Sequence, residues 1–198
     1  MALGDSWRTV SGDDLSGPGA EQLPKEPAIY MWRRIAALPA GALDRRSTFV
    51  DWLTKELQTP YCVLRSSTLT PYLHVEQLNV GGYRVPPTRL SHLELLCSER
   101  AFRIKLLEVV QASLEQGPAL YVGKADDLRT RIGQHLRGES DLRSRLDDIG
   151  LSWDRLSLRY LLIPGDVPSP EVSQSELLET IETVVTVLSM GSLVMRVG

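Results

Sequence analysis

The chain has 198 residues, enough for one domain or for a compact domain carrying a large insertion, and too few for two ordinary domains. Hydrophobic residues make up 42% and charged residues 24%, the balance of a globular chain, which sets aside wholesale disorder, collagen-like repeats and coiled coil. A formal net charge of −3 excludes a strongly basic chain that would coat nucleic acid without selectivity.

Residues 1–25, rich in Gly, Ser and Asp and poor in apolar periodicity, are expected to form a mobile or loosely docked arm. They lack the basic end and apolar stretch of a signal peptide. No run of about 18 apolar residues occurs anywhere, so the expectation is a cytosolic (cytoplasmic) chain with no membrane partner. After Pro27, AIYMW is short, apolar and aromatic and suits a core strand. From Asp44, a good N-cap, LDRRSTFVDWLTKEL sets Phe49, Trp52, Leu53 and Leu57 at helical spacing until Thr59-Pro60 stops it. YCVLRS and PYLHVEQLNV read as strands, and GGYRVPP as a turn, a short strand and a break. One long helix is expected from about Thr88 to Gln116, ended by Gly117-Pro118.

ALYVG is an apolar strand ending in glycine, after which Asp126 or Asp127 caps a helix, LRTRIGQHLR, closed by Gly138. Strand, tight turn and helix together make a geometry suited to phosphate. A helix over DLRSRLDDIG, a strand over LSLRYLLI, a loop over PGDVPSPEVS and a last helix over SELLETIETVVTVLSM follow. Cys62 and Cys97 have no Cys or His at zinc-site spacing and read as buried thiols. His74 and His92 likewise lack partners at ligand spacing and read as structural or solvent-facing.

Charge is unevenly spread. Residues 1–27 carry a net −3 and residues 164–198 a net −4, which leaves +4 on residues 28–163. Between Tyr121 and Arg145, Lys124, Arg129, Arg131, Arg137, Arg143 and Arg145 stand against four acids, either as a phosphate-facing patch or as a solvated, ion-paired helix face. Arg45, Arg46, Arg84, Arg89, Arg100 and Arg103 are candidates for a DNA groove, or scattered surface charges.

The chemistry-bearing pattern lies in the strands AIY and LYVG, which can lie side by side with Tyr30 and Tyr121 on a common face, and in Arg131 and His135, four apart on one helix face. The last helix offers Glu176, Glu179 and Glu182 to the same cleft. A carboxylate suits a hard divalent cation, an arginine holds a phosphate and opposes charge as it develops, and tyrosine and histidine exchange protons with water or a leaving oxygen. Together they suit phosphodiester hydrolysis.

Ala28-Ile29-Tyr30 and Tyr121-Val122-Gly123, the latter followed by Lys124 and Leu128-Arg129-Thr130-Arg131-Ile132-Gly133-Gln134-His135, resemble the signature of the GIY-YIG endonucleases. The stretch YVGKADDLRTRIGQHL is its specific part, and histidine at 135, with RYLLI before an acidic helix, is similar to the type II restriction members. The resemblance implies an α/β (α+β) fold: a small, mainly antiparallel three-stranded sheet flanked by helices. The core is expected over 26–33 and 118–198, with a large mixed α/β insertion, 34–117, that binds DNA or forms a dimer.

The resemblance further implies a DNA endonuclease using Mg2+ or Mn2+, in restriction or phage defence. Tyr30 or Tyr121 would activate water through a hydrogen-bonded relay, Arg131 would clamp the phosphate, and His135 would orient the tyrosine or share its proton. Arg129 would contact DNA, as would Lys124 unless it is simply a turn lysine, and a glutamate would hold the metal. Glu182, with Leu178, Ile181 and Val185 at −4, −1 and +3, matches the family's glutamate better than Glu179, the alternate. Two departures stand out: Ala28 replaces the first glycine, and no asparagine follows the glutamate, leaving Ser189 or Ser192 as substitutes. A DNA-binding or interaction module with weakened catalysis, and a structure-specific repair or mobile-element nuclease, are the alternatives. Palindromic cutting would favour a homodimer.

Overall fold

A computed structural model describes residues 7–15, 17–70, 73–81, 85–163 and 173–189. In chain order these form β1 (Arg8–Ser11), α1 (Gly12–Leu15), a 3-10 turn (Gly17–Gln22), β2 (Ala28–Arg34), α2 (Arg46–Gln58), β3 (Pro60–Thr70), β4 (Leu73–Gly81), α3 (Pro87–Leu96), α4 (Arg100–Gln116), β5 (Tyr121–Ala125), α5 (Leu128–Arg137), α6 (Asp141–Asp148), a 3-10 turn (Trp153–Arg155), β6 (Leu156–Leu162) and α7 (Gln174–Ser189). The chain divides into one unit of Met1–Ile35, Gly117–Asp147 and Leu151–Gly198, and a second of Ala36–Gln116 with Asp148–Gly150.

The first unit is built on an antiparallel sheet in the order β1-β6-β2-β5. Mixed α/β architecture is therefore as expected, with one correction. The sheet has four strands, and the fourth comes from the segment expected to be an arm. Arg8–Ser11 pairs along β6 from Tyr160 to Ser157, while Leu15 and Leu23 are buried at 0% and 3% exposure. Four residues, RTVS, are too short to show a period of two; the neighbouring strand, not local propensity, makes them extended.

Side chains of β2 alternate between the two faces of the sheet. Ile29 and Met31 join Val122, Ala119, Ile163 and Leu178 in one apolar cluster, against which Leu177, Ile181 and Val185 of α7 also pack. Tyr30 and Trp32 point the other way, Tyr30 toward His135 of α5 and Trp32 toward Trp153, their rings 5.0 Å apart. So α7 and α5 cover opposite faces. α5 is fixed at both ends: the Asp127 carboxylate accepts the Thr130 N–H at 2.9 Å, which holds its pKa below the usual carboxylate range, and Gly138 closes the helix at φ +77°. Leu128, Ile132 and His135 are its buried face.

In the second unit, Phe49, Val50, Trp52 and Leu53 of α2 form a cluster with Cys97, a buried free thiol. Asp44 is not the N-cap of α2. Arg45 occupies that position without a side-chain cap, and Asp44 pairs with Arg100 at 3.1 Å. The long helix expected from Thr88 is broken into α3 and α4. The break is held by Arg103, 5% exposed, whose guanidinium donates to the carbonyls of Leu43 at 2.8 Å, Ser98 at 3.0 Å and Cys97. β3 and β4, which cover the two stretches expected to be strands, pair as an antiparallel hairpin. The expected short strand in GGYRVPP falls largely on 82–84, outside the described residues. Among the described residues no helix is long and apolar enough to cross a membrane.

Candidate functional site

Strand register brings the site together. Tyr30 stands opposite Gly123 on β5, and Tyr121 is diagonal to it, opposite Trp32, so both phenols rise from the same face. Their rings lie 6.0 Å apart and inclined by 25°. A Cβ on Gly123 would come within 2.6 Å of the Tyr30 hydroxyl oxygen and 2.8 Å of Tyr121 Cε1. Glycine is therefore required here for space, because the Tyr30 ring lies across the strand.

α5 supplies the other groups. His135 Nε2 is 2.7 Å from the Tyr30 hydroxyl, and the imidazole also meets the Tyr121 ring edge-on with centroids 5.4 Å apart. Arg131, one turn earlier, donates from Nε toward the Tyr30 hydroxyl at 3.4 Å and from Nη1 to Gln134 Oε1 at 3.1 Å. Tyr30 and His135 are fully enclosed; Tyr121 and Arg131 are partly exposed and form the side of the cluster that solvent reaches.

The electrostatics follow from this enclosure. Burial first, and the neighbouring Tyr121 second, push the Tyr30 phenol well above its ordinary value, so it stays protonated. Burial and the Arg131 charge pull His135 down from 6.5 to about 4, so the imidazole is neutral at pH 7. Burial works to lower Arg131, but the two phenols outweigh it and hold the guanidinium above its ordinary value. The result is a permanent cation beside a neutral, hydrogen-bonded Tyr–His pair.

Acidic residues of α7 divide by role. Glu176 accepts from the Ser173 N–H at 2.8 Å and its hydroxyl at 2.7 Å, while Ser173 Oγ accepts the Glu176 N–H at 3.2 Å; this capping box commits Glu176 to the start of the helix. Glu179, with 67% of its side chain exposed, pairs with Lys124 at 3.4 Å. Glu182 is 7% exposed, and the three apolar positions around it, Leu178, Ile181 and Val185, all join the cluster under the sheet. It thus lies on the helix covering the face opposite Tyr30 and Arg131, with β5, the edge strand, between them.

Among the described residues no three of His, Cys, Asp or Glu gather as a ligand set. Glu182 offers one carboxylate, a donor count compatible with an ion that keeps several waters, such as Mg2+, and too small for a cation needing an all-protein cage. Ser189 ends α7, and Ser192 lies outside the described residues.

Other candidates separate plainly. Arg129 donates from Nε to the Leu23 carbonyl at 2.6 Å and thereby ties α5 to the N-terminal segment. Arg45, Arg46, Arg89 and Arg100 are exposed, Arg103 is consumed inside its own unit, and Arg84 lies outside the described residues. His92 is exposed. The side chains of His74 and Cys62 are outside the described set. Sequence reasoning passed over Ser140, whose Oγ is 2.6 Å from His135 Nδ1, and Gln134, which braces Arg131. Only Gly138 three residues after His135, turning the chain back, could have signalled Ser140. Compared with protein-family models, curated proteins and solved structures, the chain has no match.

Proposed function

We propose that the chain is a divalent-metal-dependent DNA endonuclease of the GIY-YIG kind, acting in the cytosol in restriction or phage defence. The observation that carries this reading is the meeting of Tyr30, Tyr121, Arg131 and His135, drawn from segments about 100 residues apart, in one hydrogen-bonded cluster with a partly open cationic edge.

In this reading Arg131 receives the scissile phosphate and opposes the negative charge that builds as water attacks phosphorus in line and the P–O bond to the leaving deoxyribose oxygen breaks, that oxygen taking a proton from solvent. Tyr121, on the solvent side, takes a proton from the attacking water while passing its own to Tyr30, and Tyr30 passes its proton to His135 Nε2. His135 is a weak base in the free protein partly because Arg131 is charged. A phosphate on Arg131 cancels that contribution, so substrate binding itself raises the basicity of the relay. Glu182 is the carboxylate that would hold a hydrated cation, whose chemistry when bound is to supply positive charge to a phosphate; it would do so from the other side of the edge strand β5. Lys124 and the exposed arginines of residues 36–116 would meet DNA backbone, and a homodimer would match a two-fold target.

A second reading, a nucleic-acid-binding module without turnover, is favoured by the single carboxylate and its position under the opposite face. Supercoiled plasmid incubated with Mg2+ or Mn2+ separates the two. The nuclease reading expects nicked and linear products from the wild type and none from Arg131→Ala or Glu182→Gln. DNA retention without cutting by the wild type supports the module, and a strong preference for branched over intact duplex would move the enzyme from restriction to repair.

A further inference from the structure

We infer that Ser140 is a positioning residue that holds His135 as its Nδ1–H tautomer and so presents a lone pair on Nε2 to the Tyr30 hydroxyl. The inference rests on the nuclease reading only for its kinetic consequence; the tautomer itself is a property of the folded chain.

Each ring nitrogen of the enclosed imidazole has a hydroxyl at short range: Tyr30 at 2.7 Å from Nε2 and Ser140 at 2.6 Å from Nδ1. A neutral imidazole has one proton for these two partners. Donor strength decides where it sits. A phenolic O–H is a stronger donor than an imidazole N–H, and an aliphatic hydroxyl oxygen is a better acceptor than a phenolic one. Arg131 adds direction, because its Nε–H can only donate; it fills a lone pair of the Tyr30 oxygen and leaves the phenol proton to be given away. The consistent arrangement is Arg131 N–H to Tyr30 oxygen, Tyr30 O–H to His135 Nε2, and His135 Nδ1–H to Ser140 Oγ. Neutrality of the buried ring at pH 7 is required for this and is met.

The backbone delivers Ser140 to that place. Gly138 ends α5 in the left-handed region at φ +77°, and the Glu139 N–H returns to the Gln134 carbonyl at 2.9 Å, so the chain doubles back over the last turn of α5. Ser140 then stands immediately before α6, beside a histidine five residues earlier. A solvent water at Nδ1 would leave the ring freer to rotate; a hydroxyl on a closed turn fixes its plane.

Long-range 15N–1H correlation spectra of the 15N-labelled full chain at pH 7 test the assignment. The expected wild-type result is His135 Nδ1 in the protonated range and Nε2 in the unprotonated range. A wild-type spectrum with the proton on Nε2 overturns the proposal, whatever the chain does to DNA. Ser140→Ala is expected to shift His135 toward the Nε2–H form or to average the two, and Ser140→Thr to restore the wild-type pattern. An unchanged tautomer in Ser140→Ala, or no rescue by threonine, also overturns it. If the alanine variant does not fold, the wild-type and threonine spectra still decide. In the kinetic arm, Ser140→Ala lowers single-turnover cleavage by about tenfold or more with DNA affinity unchanged. A wild-type chain that cuts nothing ends the nuclease reading and leaves the spectral result standing.

Discussion

Replacing His135 by glutamine tests whether the imidazole is held neutral by its surroundings. An unfolded histidine titrates near 6.5, and in the fold burial and Arg131 bring it to about 4. Between those values the unfolded chain binds a proton that the folded chain refuses, so stability falls as pH drops from about 6.5 to about 4 and is fully present above about 7. At 1.36 kcal/mol per pKa unit the full loss is about 3 kcal/mol, most of it reached by about pH 4.5. That is a large share of the roughly 5–15 kcal/mol that holds a domain folded. Glutamine keeps an acceptor for the Tyr30 hydroxyl and cannot titrate. Urea unfolding followed by tryptophan fluorescence at pH 7.5 and 4.5 should therefore show the wild type losing about 2–3 kcal/mol more than His135→Gln on acidification, with carboxylate contributions cancelling in the difference. Equal losses in the two proteins would refute the reasoning and mean that His135 is charged, or solvated, in the fold.

Gly123→Ala should fold with a melting temperature lowered by the equivalent of about 1–3 kcal/mol, since the new methyl group displaces the Tyr30 and Tyr121 rings, and should lose cutting; unchanged stability would mean the phenols are not packed over this strand. Arg131→Lys keeps the charge but loses the planar fork, so cleavage should fall about a hundredfold while the far-ultraviolet spectrum stays native, checked by single-turnover rates. Arg103→Ala leaves three carbonyls without their donor at the α3–α4 break and should cost about 2–4 kcal/mol, measured by urea unfolding, without altering the Tyr30–His135 pair seen by NMR.

Strong local signals were the readable ones. The aromatic run AIYMW, the Asp-capped and glycine-closed LRTRIGQHLR and the strand-like YCVLRS and PYLHVEQLNV correspond to β2, α5 and the β3–β4 hairpin. Features set by distant partners were hidden. β1 exists because β6 offers it a free edge; Asp44 prefers the Arg100 guanidinium to capping α2; and the apolar periodicity of 88–116 runs straight through a break that Arg103 stabilises from the next helix. At the site, spacing alone placed Arg131 and His135 on one helix face, and the register put Tyr30 and Tyr121 with them. The face of the sheet that α7 covers depends on which residues of two strands point down, which no spacing within α7 records; Glu176 and Glu182 resemble each other in sequence and differ entirely in surroundings.

The most direct measurement is a crystal structure of the wild-type chain with a short DNA duplex and Ca2+ in place of the activating cation. A backbone phosphate within about 3 Å of the Arg131 guanidinium, on the Tyr121 side, with the ion against Glu182, is the predicted result. DNA bound elsewhere, with Arg131 still engaged by Tyr30 and Gln134 and by no phosphate, would contradict the account.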